Sequence, residues 1–186
     1  MNRLSGNEIL SFADGRTVAD FWSWAYSDIL SNRNRAIFAE FIVAAVLGCT
    51  DCPLQEWDEV DIRYRGKKIE VKTSAYLQSW VQQRPSTIVF DIAAKKGWTA
   101  ETNSHSQAPA RSADCYVFCL FAATDPAQAN VLDLSQWTFL VLATDELNRY
   151  FSTQKSISFK RLQKVCGVVN YRGLKEAIES VLFKSP

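Results

Sequence analysis

Between Val60 and Thr73 the chain reads as two short β-rich runs joined at Arg65 and Gly66, and this hairpin constrains the fold more than any other stretch. Gly66 supplies the positive φ that a tight reversal needs. A two-residue loop there sets Tyr64 opposite Lys67, and counting back along both strands sets Asp61 opposite Glu70. Side chains alternate along a strand, so Glu70 and Lys72 leave one face together. Directly opposed residues have β-carbons about 4.5–5.5 Å apart, where two carboxylates repel unless a cation lies between them. A divalent metal ion is the natural resolution. The register decides this, because a three-residue loop would set Asp61 against Val71 and turn the two acids to opposite faces.

Upstream, Thr17 with Asp20 three residues on can cap a helix whose Val18, Phe21, Trp22, Ala25 and Ile29 recur at helical spacing, which predicts a face packed on the core. The polar link Ser31-Asn32-Arg33-Asn34 separates it from a second helical run, Arg35 to Leu47, ending at Gly48. From Ala36 to Leu47 every residue except Glu40 is apolar, so this helix should be buried. A lone carboxylate there is costly unless paired or beside a metal. Glu40 either lies at an exposed edge or pairs with Arg33 or Arg35, or it faces the acids at Asp61 and Glu70.

Residues Thr87 to Ile92, Asp114 to Ala122 and Trp137 to Ala143 are rich in β-branched and aromatic residues and read as strands. Thr144-Asp145-Glu146 opens a short helix to about Phe151, and Gly173 to Phe183 carries a terminal amphipathic helix. Thr99 to Ser112 is the long polar connection. No composition break divides the 186 residues, which fit a single domain, residues 1–186. No apolar run approaches a membrane span, and Met1 to Phe12 does not read as a secretory signal, so a cytoplasmic protein without a membrane partner is expected. The odd number of Cys, five, agrees with reduced thiols. Cys49 and Cys52 are spaced as in a zinc knuckle, but Cys115, Cys119 and Cys166 complete no second pair. The sole His, His105, has no evident nucleophile beside it.

A net charge of +1 conceals an asymmetry. Residues 1–60 hold 4 Arg and no Lys against 9 acids, a balance of −5, whereas residues 61–100 hold 8 bases against 3 acids, a balance of +5. The basic block coincides with the hairpin. It suits a polyanion, and equally suits charged strand edges that resist aggregation.

Glu40 on a helix, Asp61 ending one run, and Glu70-Val71-Lys72 on the next resemble the PD-(D/E)XK nuclease superfamily, the group of restriction endonucleases and Holliday-junction resolvases. The motif residues fall within about residues 33 to 80, with nine positions from Asp61 to Glu70 and Val60 where the motif's name has Pro. The resemblance implies an α/β, restriction endonuclease-like fold: a central mixed β-sheet led by a β-hairpin and flanked by helices. It implies Mg2+-dependent hydrolysis of DNA, with Mn2+ as a substitute, and a compact member of the group commonly works as a homodimer. Asp61, Glu70 and the Val71 carbonyl would hold the metal, Glu40 would reach it directly or through water, and Lys72 would orient the attacking water. Beyond them, Ser74, Gln78, Arg33, Arg35 and Arg84 are candidates for phosphate contact or support of the site. Tyr76 and Trp80 can stack on bases, with ordinary packing the plainer expectation. The rival reading is a nuclease fold that binds nucleic acid or a protein without cutting; a purely structural ion-pair cluster would leave stability indifferent to metal.

Overall fold

The computed structural model of the chain describes residues 3–56, 59–95, 98, 99, 104, 105 and 108–184. In chain order the elements are α1 (Val18–Tyr26), α2 (Asn32–Leu47), β1 (Ile62–Tyr64), β2 (Lys67–Ala75), β3 (Val89–Asp91), β4 (Trp98–Thr99), β5 (Ser104–His105), β6 (Cys115–Phe121), β7 (Trp137–Ala143), α3 (Thr144–Phe151), β8 (Ser156–Ser158), α4 (Phe159–Leu162), β9 (Val168–Val169) and α5 (Tyr171–Leu182).

The hairpin forms in the two-residue register. Tyr64 faces Lys67 and Ile62 faces Ile69, while Arg65 (φ 48°) and Gly66 (φ 77°) both take positive φ, the requirement of a type I′ reversal. A β-carbon built on Gly66 would meet nothing within 4 Å, so only backbone strain opposes a side chain there. Gly66→Ala is therefore expected to cost about 1–2 kcal/mol in thermal unfolding; an unchanged melting temperature would contradict the turn type.

β1 and β2 lead a five-stranded sheet ordered β1-β2-β6-β7-β9. β2 and β6 run parallel and the other neighbours antiparallel. Every residue of β6 is buried, which a strand manages only when both faces of its sheet are covered. On one face α2 and α5 bring Ala39, Ile42, Val43, Leu47, Leu174 and Ile178 against Ile69, Val71, Val117 and Phe139. On the other, the β3–β8 ribbon with α3 and α4 brings Phe90, Ile157, Leu147 and Leu162 against Phe118, Leu140 and Leu142. Each such large apolar side chain contributes roughly 1.5–3 kcal/mol when fully buried. A central mixed sheet flanked by helices is the α/β architecture expected, and it is consistent with a restriction endonuclease-like fold.

Several expectations need correction. α1 has the anticipated capping box between Thr17 and Asp20, but Val18 alone of its residues is buried, and Phe21, Trp22 and Trp24 stay exposed. Helical spacing makes a stripe; what covers it is decided elsewhere in the chain. The link at residues 31–34 is the cap and first turn of α2, with Ser31 Oγ accepting from the Asn34 N–H. That helix is not wholly buried either, since Phe41 is 52 % exposed while Asn34 and Arg35 are enclosed. α2 is an outer layer, and only one side of it meets the sheet. The run from Thr87 forms just three strand residues, in the separate ribbon with β8 instead of the main sheet. α3 starts where expected, but its N-cap is Ala143 and the buried Thr144 hydroxyl has no partner. The Asn170 side chain caps α5 by accepting from the Gly173 N–H, so the helix begins at Tyr171, two residues ahead of the predicted start. The long connection after Thr99 lies partly outside the described residues. Among those described, no helix is long and apolar enough to cross a membrane.

Candidate active site

Asp61 immediately precedes β1, so the register that pairs Ile62 with Ile69 carries it toward Glu70. Its Oδ2 accepts a 2.6 Å hydrogen bond from the Val71 N–H. The N–H and C=O of one strand residue leave on the same edge, so the Val71 carbonyl is directed to the edge that Asp61 occupies. Across the face of β2, Lys72 Nζ donates to Glu70 Oε1, the two side chains being 19 % and 16 % exposed.

Alternation turns Ile69, Val71 and Ala75 into the cluster under α2 and α5 and sends Glu70, Lys72 and the half-buried Ser74 to the other face. There the parallel register sets Glu70 beside Tyr116 and Lys72 beside Phe118, whose rings stack at 5.9 Å. This wall keeps water from one side of the charged pair and strengthens each electrostatic interaction near it. Burial first and then Glu70 push the Tyr116 hydroxyl above its ordinary range. Thr73, which follows Lys72 and pairs with Cys119, has a buried hydroxyl without a partner.

Glu40 is half-buried on α2, and no ion pair joins it to Arg33 or Arg35. The Arg35 guanidinium is spent elsewhere, donating to the Leu30 carbonyl (2.8 Å), Asn32 Oδ1 (2.6 Å) and Gln78 Oε1 (3.2 Å). Burial, then Asp61, then Glu70 raise the Glu40 carboxyl to about 7 against the opposing pull of Lys72. Asp61 rises to about 6, by burial first and Glu70 second, against the Val71 hydrogen bond, Lys72 and Lys95. The charges of Asp61 and Glu70 therefore act on Glu40, and that of Glu70 on Asp61.

The donors fit a hard divalent cation. Among the described residues no three His, Cys, Asp or Glu side chains are gathered into a ready-made metal group, but Mg2+ commonly takes one or two carboxylates and keeps its waters. Two carboxylates whose proton affinity is raised by burial and by neighbouring acids, beside a strand carbonyl, are an oxygen donor set short of positive charge.

The structure thus draws Glu40, Asp61, Glu70, Val71 and Lys72 together. Arg35 and Gln78 meet each other and tie the start of α2 to the exit of β2, where Gln78 Nε2 also donates to the Ala75 carbonyl (3.0 Å). Arg33 and Arg84 lie exposed. Two contributors went unnoticed in the sequence. Tyr116 is set beside Glu70 by the pairing of strands 46 positions apart, which no local pattern encodes. Lys95 bears on Asp61 from beyond β3, and the basic block was its only signal.

The mixed sheet, its leading hairpin and the flanking helices define an α/β protein, consistent with a restriction endonuclease-like architecture. Residues 23–160, from within α1 into α4, match the family described as bacteriophage T4 endonuclease IV, and the chain belongs to this endonuclease family. Neither the curated proteins nor the solved structures compared with it give a match.

Proposed function

We propose that this chain is a Mg2+-dependent DNA endonuclease, with Mn2+ as a substitute, working by a PD-(D/E)XK-type mechanism. The observation that carries the reading is that Asp61, held by the Val71 N–H, lies beside the Glu70–Lys72 pair of β2, with Glu40 on α2 close enough for the charges of all three to act on it. Endonuclease family membership over residues 23–160 supports it independently.

Asp61 and Glu70 would hold the ion through carboxylate oxygens, with the Val71 carbonyl as a third donor and Glu40 reaching it directly or through water. A divalent ion held there would supply activation of a water and charge compensation for the phosphoryl oxygens. The Val71 N–H fixes the orientation of the Asp61 carboxylate by donating to its Oδ2. Lys72, positioned by Glu70, orients the attacking water and stabilises negative charge developing on the phosphate. Tyr116 and Phe118 exclude water behind the pair.

The test is incubation with supercoiled, linear, single-stranded and branched DNA in Mg2+ or Mn2+ and in chelator. Wild type is expected to cut one or more of these only with metal, and Asp61→Ala and Lys72→Ala to cut none. Cleavage that survives both substitutions rejects the mechanism.

A further inference from the structure

We propose that the loop joining β2 to β3 is a rigid base-stacking finger, whose Trp80 and Val81 receive a nucleobase of the DNA strand held at Glu70 and Lys72; this assignment rests on the nuclease reading. Packing was the plainer expectation for both aromatics of this loop. Tyr76 does pack, against the cluster beneath the β3–β8 ribbon, but Trp80 is 56 % and Val81 99 % exposed.

Exposure alone would mean little in a slack loop, and this one is braced. Gln82 Oε1 accepts from the Gln78 N–H (2.7 Å), and its Nε2 reaches the Tyr76 carbonyl (3.3 Å) and Ser86 Oγ (3.1 Å). Gln78 Nε2 donates to the Ala75 carbonyl (3.0 Å) and Ser86 Oγ (3.2 Å), and the Ser86 N–H closes onto the Tyr76 carbonyl (2.8 Å). Leu77 and Ile88 are buried at the foot. Arg35 grips Gln78 from α2. The finger is therefore fixed both to the strand carrying Glu70 and Lys72 and to the helix carrying Glu40. A tip held by polar braces, with its indole left in water, is preorganised for an aromatic partner and loses little freedom on binding.

Charge selects the partner. No acid lies between Glu70 and Asp91, whereas Lys72 and Arg84 do, so a polyanion can approach. Of the other exposed aromatics, Phe12, Phe21, Trp22 and Trp24 share the N-terminal segment with Glu8, Asp14, Asp20 and Asp28, which repel one, and Phe41, Tyr150 and Phe183 sit on or at the end of helices instead of a braced loop. From Lys72 to the end of β2 at Ala75 the strand advances about 10 Å, so the tip meets a base a few nucleotides from the phosphate under attack. An indole accepts any base face, and the contact adds affinity without reading sequence.

The test measures binding of fluorescent single-stranded and duplex oligonucleotides in chelator, with a fully abasic deoxyribose-phosphate oligomer of equal length as control. Trp80→Ala is expected to bind base-bearing DNA about 10- to 100-fold more weakly than wild type, and Trp80→Phe within about threefold. All three should bind the abasic oligomer equally and show one salt dependence, because no phosphate contact changes. Wild-type affinity in Trp80→Ala, an equal loss on the abasic oligomer, or no binding of base-bearing DNA by wild type overturns the finger. Cleavage in Mg2+ is followed in parallel. Cutting with Trp80-independent binding removes the finger and leaves the nuclease; Trp80-dependent binding without cutting does the reverse.

Discussion

Asp61→Asn is expected to melt at a higher temperature than wild type in metal-free buffer at pH 8 and to cut DNA at least about 10³-fold more slowly. The two effects share one cause. Burial and Glu70 raise Asp61 from 3.8 to about 6, so at pH 8 the metal-free fold holds an ionised carboxylate that its surroundings disfavour. A tenfold change in proton affinity corresponds to about 1.4 kcal/mol, which puts the relief on neutralising it at about 1–3 kcal/mol. In a chain of this length, at about 2–4 °C per kcal/mol, that raises the melting temperature by about 2–12 °C. The amide oxygen can still accept from the Val71 N–H, so the change keeps the local fold, whereas Asp61→Ala also leaves that buried donor unpaired and should be less stable than Asp61→Asn. Cleavage falls because a neutral amide is a poor ligand for a hard cation: losing about 4 kcal/mol of metal-borne stabilisation is a factor of about 10³. Differential scanning calorimetry in chelator and single-turnover cleavage in Mg2+ read the two halves. A variant that melts lower than wild type, or that retains activity within tenfold, would show that Asp61 is a structural acid.

The centre of this site was readable because it is local. Gly66 can adopt the positive φ a two-residue turn demands, and the period of two along β1 and β2 then carries Asp61, Glu70 and Lys72 to their places. Glu40 was readable as an anomaly, the single acid in a run of apolar helix, and the structure gives it no basic neighbour from its own helix. What failed to show is what depends on distant partners. The packing of α1 was misjudged because spacing announces an apolar stripe but not a surface to receive it. Asn34 and Arg35 are enclosed while Phe41 faces out, against every hydropathy rule, because Asn34 reaches the Ala25 and Asp28 carbonyls and Arg35 reaches Leu30 and Gln78. These are satisfactions a sequence cannot display. Tyr116 and the braced exposure of Trp80 belong to the same class, the first set by a parallel register and the second by glutamine side chains folding back on their own loop.

The gain in melting temperature on adding Mg2+ or Mn2+ is expected to grow steeply with pH, from below about 2 °C at pH 5 to about 5–11 °C at pH 8. In the unfolded chain Asp61 and Glu40 ionise near their ordinary values of 3.8 and 4.5, but in the metal-free fold they hold their protons to about 6 and 7. A group whose proton affinity rises on folding contributes stability that is complete below its unfolded value and is lost as pH climbs through its folded one. On this account the metal-free protein weakens between about pH 4 and pH 7. A cation must displace the same protons to bind, so at pH 5 it competes with them, and at pH 8 it finds the carboxylates bare. Metal at about one hundred times its dissociation constant then contributes about 2.7 kcal/mol, which at about 2–4 °C per kcal/mol gives the upper figure. No DNA is present, so the result does not depend on finding the substrate. Asp61→Asn should abolish the gain at pH 8. A gain equal at both pH values would place the metal away from Asp61 and Glu40, and no gain at pH 8 would reduce the acids and Lys72 to a structural ion-pair cluster.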